Sequence, residues 1–392
     1  MLDLLKYLFR KEISLPLTLQ MPITSRCNSR CKTCNVWREK TDHNIDPIAL
    51  KKALQDPFFS KVRSVGLNGG EFTLVPNFTQ ILESVLILPK LSDIYLITNG
   101  LFPKKLFEYL QSAKRLCDQC GVVLHLCLSV DGVGKVHELV RGIPHCFEKT
   151  QLILQELYSN KDAYCHAFSV GCTLSIHNIA FVRETEAYLN NFKGINVEYH
   201  LAVPNKRIKT FSDYQDYYVI DDEKARHLAT EFFYGKYLSA AKEGYRRQCF
   251  ANYFFLNNKG KGRLCTCEYL HRDVTIDEDL NMALCATASD IIGNLREQSA
   301  TSIINNNKAK VERRRLRKDC CDYCIHYSYQ PLTLHGRWTY IQEEIKNRFV
   351  LRYYDVRSEQ SCVKRVKSTC SLTARIIYNY LKLIYRILWK LQ

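Results

Sequence analysis

The chain has 392 residues, 46% hydrophobic and 24% charged, a balance that describes a folded globular protein and excludes a disordered one. Its formal net charge of +16 favours anionic partners or a solvated basic surface. With no run of about 18 apolar residues and no signal-like start, the 18 cysteines read as cytoplasmic thiols, metal ligands or catalytic groups rather than disulfides.

After an extension over residues 1–14, apolar strands alternate with helical stretches through residue 204. The candidate strands are Leu15–Thr24, Ser64–Gly69, Ile94–Asn99, Val122–Asp131, Phe168–Ile176 and Val197–Val203. Helical patterns fall at Pro47–Gln55, Pro76–Leu88, Lys104–Cys120, Phe147–Ser159 and Ala180–Asn190, with Pro47 and Pro76 suited to a first helical turn. Near-continuous apolar strands separated by helices imply an α/β fold with a parallel sheet. The expectation is a partial (β/α)6 TIM-type barrel over residues 15–204. Residues 205–262 read as a Tyr-rich connector with one long helix, Asp222–Tyr245. Residues 263–327 form a small cysteine-rich domain of β-hairpin and helix. Residues 328–392 form a basic tail ending in an amphipathic helix.

The run Cys27-Asn28-Ser29-Arg30-Cys31-Lys32-Thr33-Cys34 directly follows the first strand. Three thiolates at this spacing can wrap one face of a [4Fe–4S] cubane and leave one iron open. A structural zinc site is the alternative, but it wants a fourth ligand. The second strand ends in Asn68-Gly69-Gly70-Glu71, the third in Thr98-Asn99-Gly100 and the fifth in His177-Asn178. The fourth ends in Ser129-Val130-Asp131-Gly132, with Arg141-Gly142 beyond it. Polar residues at the carboxyl ends of successive parallel strands form the rim of a β/α active site.

On these residues the chain resembles the radical S-adenosylmethionine (SAM) superfamily. The resemblance rests on the CxxxCxxC run Cys27/Cys31/Cys34, the Gly69-Gly70-Glu71 motif, and the Ser129–Gly132 and Arg141–Pro144 segments. It implies that SAM chelates the open iron and is cleaved reductively to a 5′-deoxyadenosyl radical that abstracts hydrogen from a substrate. It further implies that Gly70 and Glu71 hold the SAM ammonium, Ser129 the ribose or carboxylate edge, and Arg141 the carboxylate. Gly69, Thr98, Asn99 and Asp131 complete the cofactor rim. Thr33 stands where the family commonly has an aromatic residue, and Trp37 is the candidate replacement.

Cys267 precedes a strand, an acidic turn and a second strand ending at Cys285, and Cys321-Asp322-Tyr323-Cys324 follows. Two distant thiols and a C-x2-C pair make a four-ligand site for zinc or an iron–sulfur cluster. The segment resembles the SPASM/twitch extension of radical SAM enzymes, with Leu280 in place of that extension's glycine. That implies an auxiliary [4Fe–4S] cluster on Cys267, Cys285, Cys321 and Cys324, with Cys265 or Cys320 as alternative ligands. Such enzymes mostly modify peptide or protein side chains, which is the expected substrate class. An electron donor such as a flavodoxin or ferredoxin is implied as well.

A second reading is radical oxidation or rearrangement of a carbohydrate or lipid-linked glycan. A third, a zinc-containing nucleic-acid-binding protein, rests on the charge alone and finds no stacking-aromatic or helix-turn-helix signature. In the tail, Arg375, Lys382, Arg386 and Lys390 share one helical face opposite Ile377, Leu381, Ile384, Leu388 and Leu391. This pattern fits either a peripheral helix on the inner membrane surface or a helix docked on the barrel.

Overall fold

The structure, a computed structural model, describes residues 15–38, 44–210, 216–326 and 330–344. The chain divides into two compact units. One comprises Ser14–Arg263 with Cys267–Ser328; the other contains Leu264–Thr266 and the chain from Tyr329.

The first unit is built on one nine-stranded sheet of order β6-β5-β4-β3-β2-β1-β7-β8-β9. Strands β1 (Thr18–Pro22), β2 (Ser64–Asn68), β3 (Asp93–Thr98), β4 (Val123–Ser129), β5 (Ala167–Leu174) and β6 (Asn196–Leu201) run parallel in chain order. This parallel-rich α/β sheet is consistent with a partial barrel. The short strands β7 (Val274–Ile276), β8 (Asn281–Ala283) and β9 (Ile291–Asn294) extend it past β1. Strand β7 pairs parallel to β1, and the Asp273 carboxylate caps that edge by accepting from Leu17 N and Thr18 N, both at 3.1 Å.

Between the strands lie α1 (Pro47–Leu54), α2 (Phe78–Val85), α3 (Pro103–Cys120), α4 (Lys135–Arg141), α5 (Cys146–Asn160) and α6 (Val182–Leu189). Their limits follow local chemistry. Asp46 accepts from Ile48 N ahead of Pro47, which opens α1, and Gly121 ends α3 with φ +65°. Pro76, expected to open a helix, instead lies two residues ahead of Phe78. The strands also differ from the expected continuous apolar runs. In β4, Leu124, Leu126 and Leu128 are buried while His125, Cys127 and Ser129 are half-buried. One face of the sheet is thus core and the other accessible, polar along β4 but carrying Tyr95 and Ile97 on β3. Period-two alternation is the signature of a sheet covered on one side.

The connector forms two helices, not one: α7 (Glu223–Ser239) and α8 (Glu243–Asn257). The break falls at Ala240–Lys242, where Ala240 and Lys242 are both extended. The two helices bury Phe232, Phe233, Tyr237, Phe250 and Phe255, and Tyr237 packs on Phe250 with ring centroids 5.4 Å apart. Beyond β9 come α9 (Ala300–Asn305) and α10 (Asn307–Arg315). In the second unit Thr266 N donates to Pro331 O and Thr333 N to Leu264 O, each at 2.8 Å, and residues 334–344 are helical. The amphipathic tail face lies outside the described residues. No helix among the described residues is long and apolar enough to cross a membrane.

Candidate active site

The loop that carries Cys27, Cys31 and Cys34 is held between two backbone edges. On one side Gly70 N donates to Thr24 O at 2.7 Å and Glu71 N to Arg26 O at 2.8 Å. On the other, Arg30 N donates to Arg141 O at 2.9 Å, Lys32 N to Val140 O at 2.8 Å, and Ser29 Oγ to Arg141 O at 3.1 Å. Each edge needs glycine. A Cβ on Gly70 would stand 1.9 Å from Arg26 O, and one on Gly142 would stand 2.2 Å from Arg30 O. The paired glycines of the sequence are therefore what lets the loop lie against the sheet rim.

Glu71 ties the ends of β2 and β3 to this loop. Its Oε1 accepts from Thr98 Oγ1 at 2.9 Å, Thr73 Oγ1 at 3.0 Å and Thr73 N at 3.4 Å; its Oε2 accepts from Asn99 N at 2.8 Å. Burial pushes the carboxyl upward, and these donors oppose the shift. A carboxylate oxygen has about two lone-pair sites, so Oε2 keeps one acceptor position. Asn99 donates from Nδ2 to Asn28 Oδ1 at 2.8 Å, with Cys27 Sγ at 3.8 Å.

Arg141, its side chain 12% exposed, has Nη2 on Asp131 Oδ2 at 2.7 Å and Nη1 directed to Cys31 Sγ at 3.6 Å. Its Nε is buried without a hydrogen-bond partner. Asp131 uses its other oxygen to accept from Thr173 N at 2.8 Å, so it positions Arg141 from β5. Ser129 stands level with Gly171 of β5, which is level with Glu198 of β6. The expected rim residues Gly69, Gly70, Glu71, Thr98, Asn99, Asp131 and Arg141 thus gather around the cysteine loop, with Ser129 at the end of β4.

Burial pushes the Cys27 thiol up to about 12 and the Cys34 thiol up to about 11, and in both the Cys31 charge adds to the effect. Thiols in this state ligate only when a bound cation supplies the missing charge. The donor set fits an iron–sulfur cluster with three protein ligands. A cavity of about 570 Å³ opens beside the loop, lined among others by Cys31, Lys32, Trp37, His177 and Tyr217. Trp37 donates from Nε1 to Cys34 O at 2.7 Å, and the Arg30 and Arg38 guanidinium carbons each stand 5.2 Å from its ring centre.

The second thiol group also assembles. Burial first, then neighbouring sulfurs, pushes Cys285 up to about 11 and Cys321 up to about 12. Cys324 and Cys267 act on both, Cys285 acts on Cys321, and Cys267 is itself raised by burial and by Cys324. Cys320 instead receives Arg315 Nη1 at 3.5 Å, and the backbone of Cys265 bridges Leu332 within the second unit. The donor set of four cysteines, three of them raised by sulfurs of the same group, fits a cluster site. Among the described residues, no three His, Cys, Asp or Glu side chains are grouped so as to hold a single metal ion. The hairpin takes the expected form, and Leu280 has φ +64°. This is a left-handed turn position that a leucine occupies under strain.

Two features had no counterpart among the sequence motifs. Ser25 Oγ, on the cysteine loop, donates to Glu278 Oε1 on the β7–β8 turn. His200 Nε2 lies 3.4 Å from Glu198 Oε2 on the accessible face of β6. His177, which the sequence places at the end of the fifth strand, lies on the cavity wall with its Nε2 buried and without a hydrogen-bond partner. The alternation Asn196-Val197-Glu198-Tyr199-His200-Leu201 was the available signal for the second feature. The first joins residues 253 apart and had none.

A glycine-dependent cysteine loop at the head of a parallel sheet is an α/β site suited to a thiolate-bound cofactor. Residues 21–172 match the Radical SAM superfamily model, so the chain carries a radical SAM domain and is an enzyme. No curated protein matches it in sequence. Among solved structures it is similar to native anSMEcpe with bound AdoMet, at 18% identity and a TM-score of 0.54, covering 76% of this chain and 82% of that one. It is also similar to Streptococcus suis SuiB bound to S-adenosylmethionine, at 14% identity and a TM-score of 0.53, covering 79% and 70% respectively. These likenesses are of fold.

Proposed function

We propose that the chain is a SPASM/twitch-type radical SAM enzyme, with two [4Fe–4S] clusters, that abstracts hydrogen from a peptide or protein side chain. The observation that carries the reading is the double clamp on the cysteine loop, with Glu71 and Arg141 presented from opposite sides. Cys27, Cys31 and Cys34 would hold the first cluster, and Cys267, Cys285, Cys321 and Cys324 the second. When bound, the first cluster supplies the electron that cleaves SAM to methionine and a 5′-deoxyadenosyl radical. The chain's own part is to bind, orient and exclude water. The remaining acceptor position on Glu71 Oε2 suits the SAM ammonium, and the orphan Nε of Arg141 suits its carboxylate. Gly70 keeps the loop close enough for both contacts, while Ser129 and Asn99 bound the ribose side.

The core domain would span residues 15–204 and the auxiliary domain residues 263–327. A low-potential donor such as a flavodoxin or ferredoxin would reduce the first cluster. The peptide reading draws support from structures of similar fold. One is SuiB bound to precursor peptide SuiA, at 12% identity and a TM-score of 0.50; another is anSMEcpe with AdoMet and the Cp18Cys peptide, at 18% and 0.54. The test is metal content. Anaerobically purified protein should hold about eight irons per chain, and Cys27→Ala/Cys31→Ala/Cys34→Ala should lose about half of them. Zinc in both sites would overturn the reading.

A further inference from the structure

One feature outside both cysteine groups has no part in the proposed reaction. Helix α10 (Asn307–Arg315) runs on into a wider turn, Leu316–Cys320. Lys310, Arg313, Arg314, Arg317 and Lys318 recur at helical spacing and line a groove of about 460 Å³. None of the five is in an ion pair among the described residues. Of the two acids in this stretch, Asp319 is exposed beside Lys318 without an ion pair among the described residues, while Glu312 is 6% exposed and turned inward, where it holds Arg315 Nη2 at 2.6 Å and accepts from Asp290 N at 2.7 Å.

Arg313 is committed to the groove by its backbone contact, Nε donating to Leu270 O at 2.9 Å. Burial, and next the Arg317 charge, pull its pKa down. A helix C-terminus attracts cations over its last turn, but that attraction extends neither to Lys310 nor to the turn beyond. Like charges three and four residues apart repel. A face of this kind is stable at a cost unless anions neutralise it. From Lys310 to Lys318 the row spans about 12 Å at helical rise. Guanidinium forks match the oxygens of phosphate in pairs, and a row of this length accommodates more than one phosphate group.

We propose that this groove binds a ligand carrying two or more linked phosphate groups, a diphosphate or polyphosphate moiety. The proposal is independent of the cluster chemistry. The probe is inorganic pyrophosphate, titrated calorimetrically into the full-length, iron-loaded protein. One site per chain is expected, with affinity falling as salt rises. Arg314→Gln/Arg317→Gln should weaken binding at least about tenfold, with an unchanged circular dichroism spectrum to show that the fold persists. Lys51→Gln/Lys52→Gln on α1 makes the same charge change elsewhere and should leave the affinity as it was. Absence of pyrophosphate binding by the parent protein overturns the proposal, as does equal weakening in both variants, which would report net charge alone. A third arm uses phosphatidylglycerol vesicles with phosphatidylcholine vesicles as control. Loss of phosphatidylglycerol binding in the groove variant, with no pyrophosphate binding by the parent protein, would assign the groove to a lipid surface and overturn the diphosphate site.

Discussion

Gly70→Ala tests the clamp on the cysteine loop most sharply. The added Cβ would stand 1.9 Å from Arg26 O and 2.4 Å from its carbonyl carbon, where real contacts stay above 3.0 Å. Both atoms are backbone, so no rotamer change relieves the clash. The 24–27 stretch must retreat by about 1 Å, since a packed interior has no slack to absorb the overlap. That retreat stretches the bonds from Gly70 N to Thr24 O and from Glu71 N to Arg26 O, now 2.7 and 2.8 Å. Losing two hydrogen bonds and overpacking the site together cost about 2–6 kcal/mol. Urea unfolding measures this cost, and anaerobic iron loading reports on the loop. Gly121→Ala is the control: Gly121 has φ +65° but nothing within 4 Å of a new Cβ. It should lose only the left-handed backbone penalty of about 1–2 kcal/mol, with full iron. If Gly70→Ala loses no more stability than Gly121→Ala and loads iron normally, the clamp does not govern the site.

Two further outcomes are expected. Leu280 is fully buried at φ +64°. Leu280→Gly should relieve about 1–2 kcal/mol of backbone strain yet lose about 2–5 kcal/mol of packing, a net destabilisation visible in a thermal melt; a more stable variant would contradict this. His137 is fully buried, with Nδ1 accepting from Asp131 N at 3.1 Å, and burial followed by the Arg141 charge holds its pKa down at about 3 against the usual 6.5. Below 6.5 the unfolded chain takes up a proton that the native protein refuses. The histidine's contribution is therefore complete above 6.5 and drains away as pH falls toward 3. Between pH 7 and about pH 4.5 the loss should be about 2–3 kcal/mol, and largely absent in His137→Gln. Identical pH profiles for the two proteins in urea titrations would refute the assignment.

The six parallel strands were legible because each is a short run of branched and apolar residues closed by polar or glycine punctuation, as at Asn68-Gly69 and Asn99-Gly100. Their one-sided burial was visible in Leu124-His125-Leu126-Cys127-Leu128 but was masked by the apolar character of the remaining strands. The break between α7 and α8 was hidden because Ala240-Ala241-Lys242 contains no proline or glycine, and helical periodicity runs through it. Helix α4 is seven residues long and has no side-chain N-cap, so its one boundary signal was Gly142, which ends it at φ +65°. The residues gathered around the cysteine loop were legible as strand-end motifs. What holds them was not. The Asp131–Arg141 pair turns Arg141 toward Cys31, and Ser25 meets Glu278 from a hairpin far along the chain. Contacts of this kind depend on register between distant segments, which local pattern does not encode.

A cluster on Cys27, Cys31 and Cys34 is proposed as the group on which SAM is cleaved. The direct measurement is 5′-deoxyadenosine released from SAM by the anaerobically reduced, iron-loaded protein, compared with Cys27→Ala/Cys31→Ala/Cys34→Ala. Slow release without added substrate is expected in the parent protein and none in the variant, with iron still bound at the second site. Release of only methylthioadenosine or S-adenosylhomocysteine, or equal 5′-deoxyadenosine from both proteins, would contradict it.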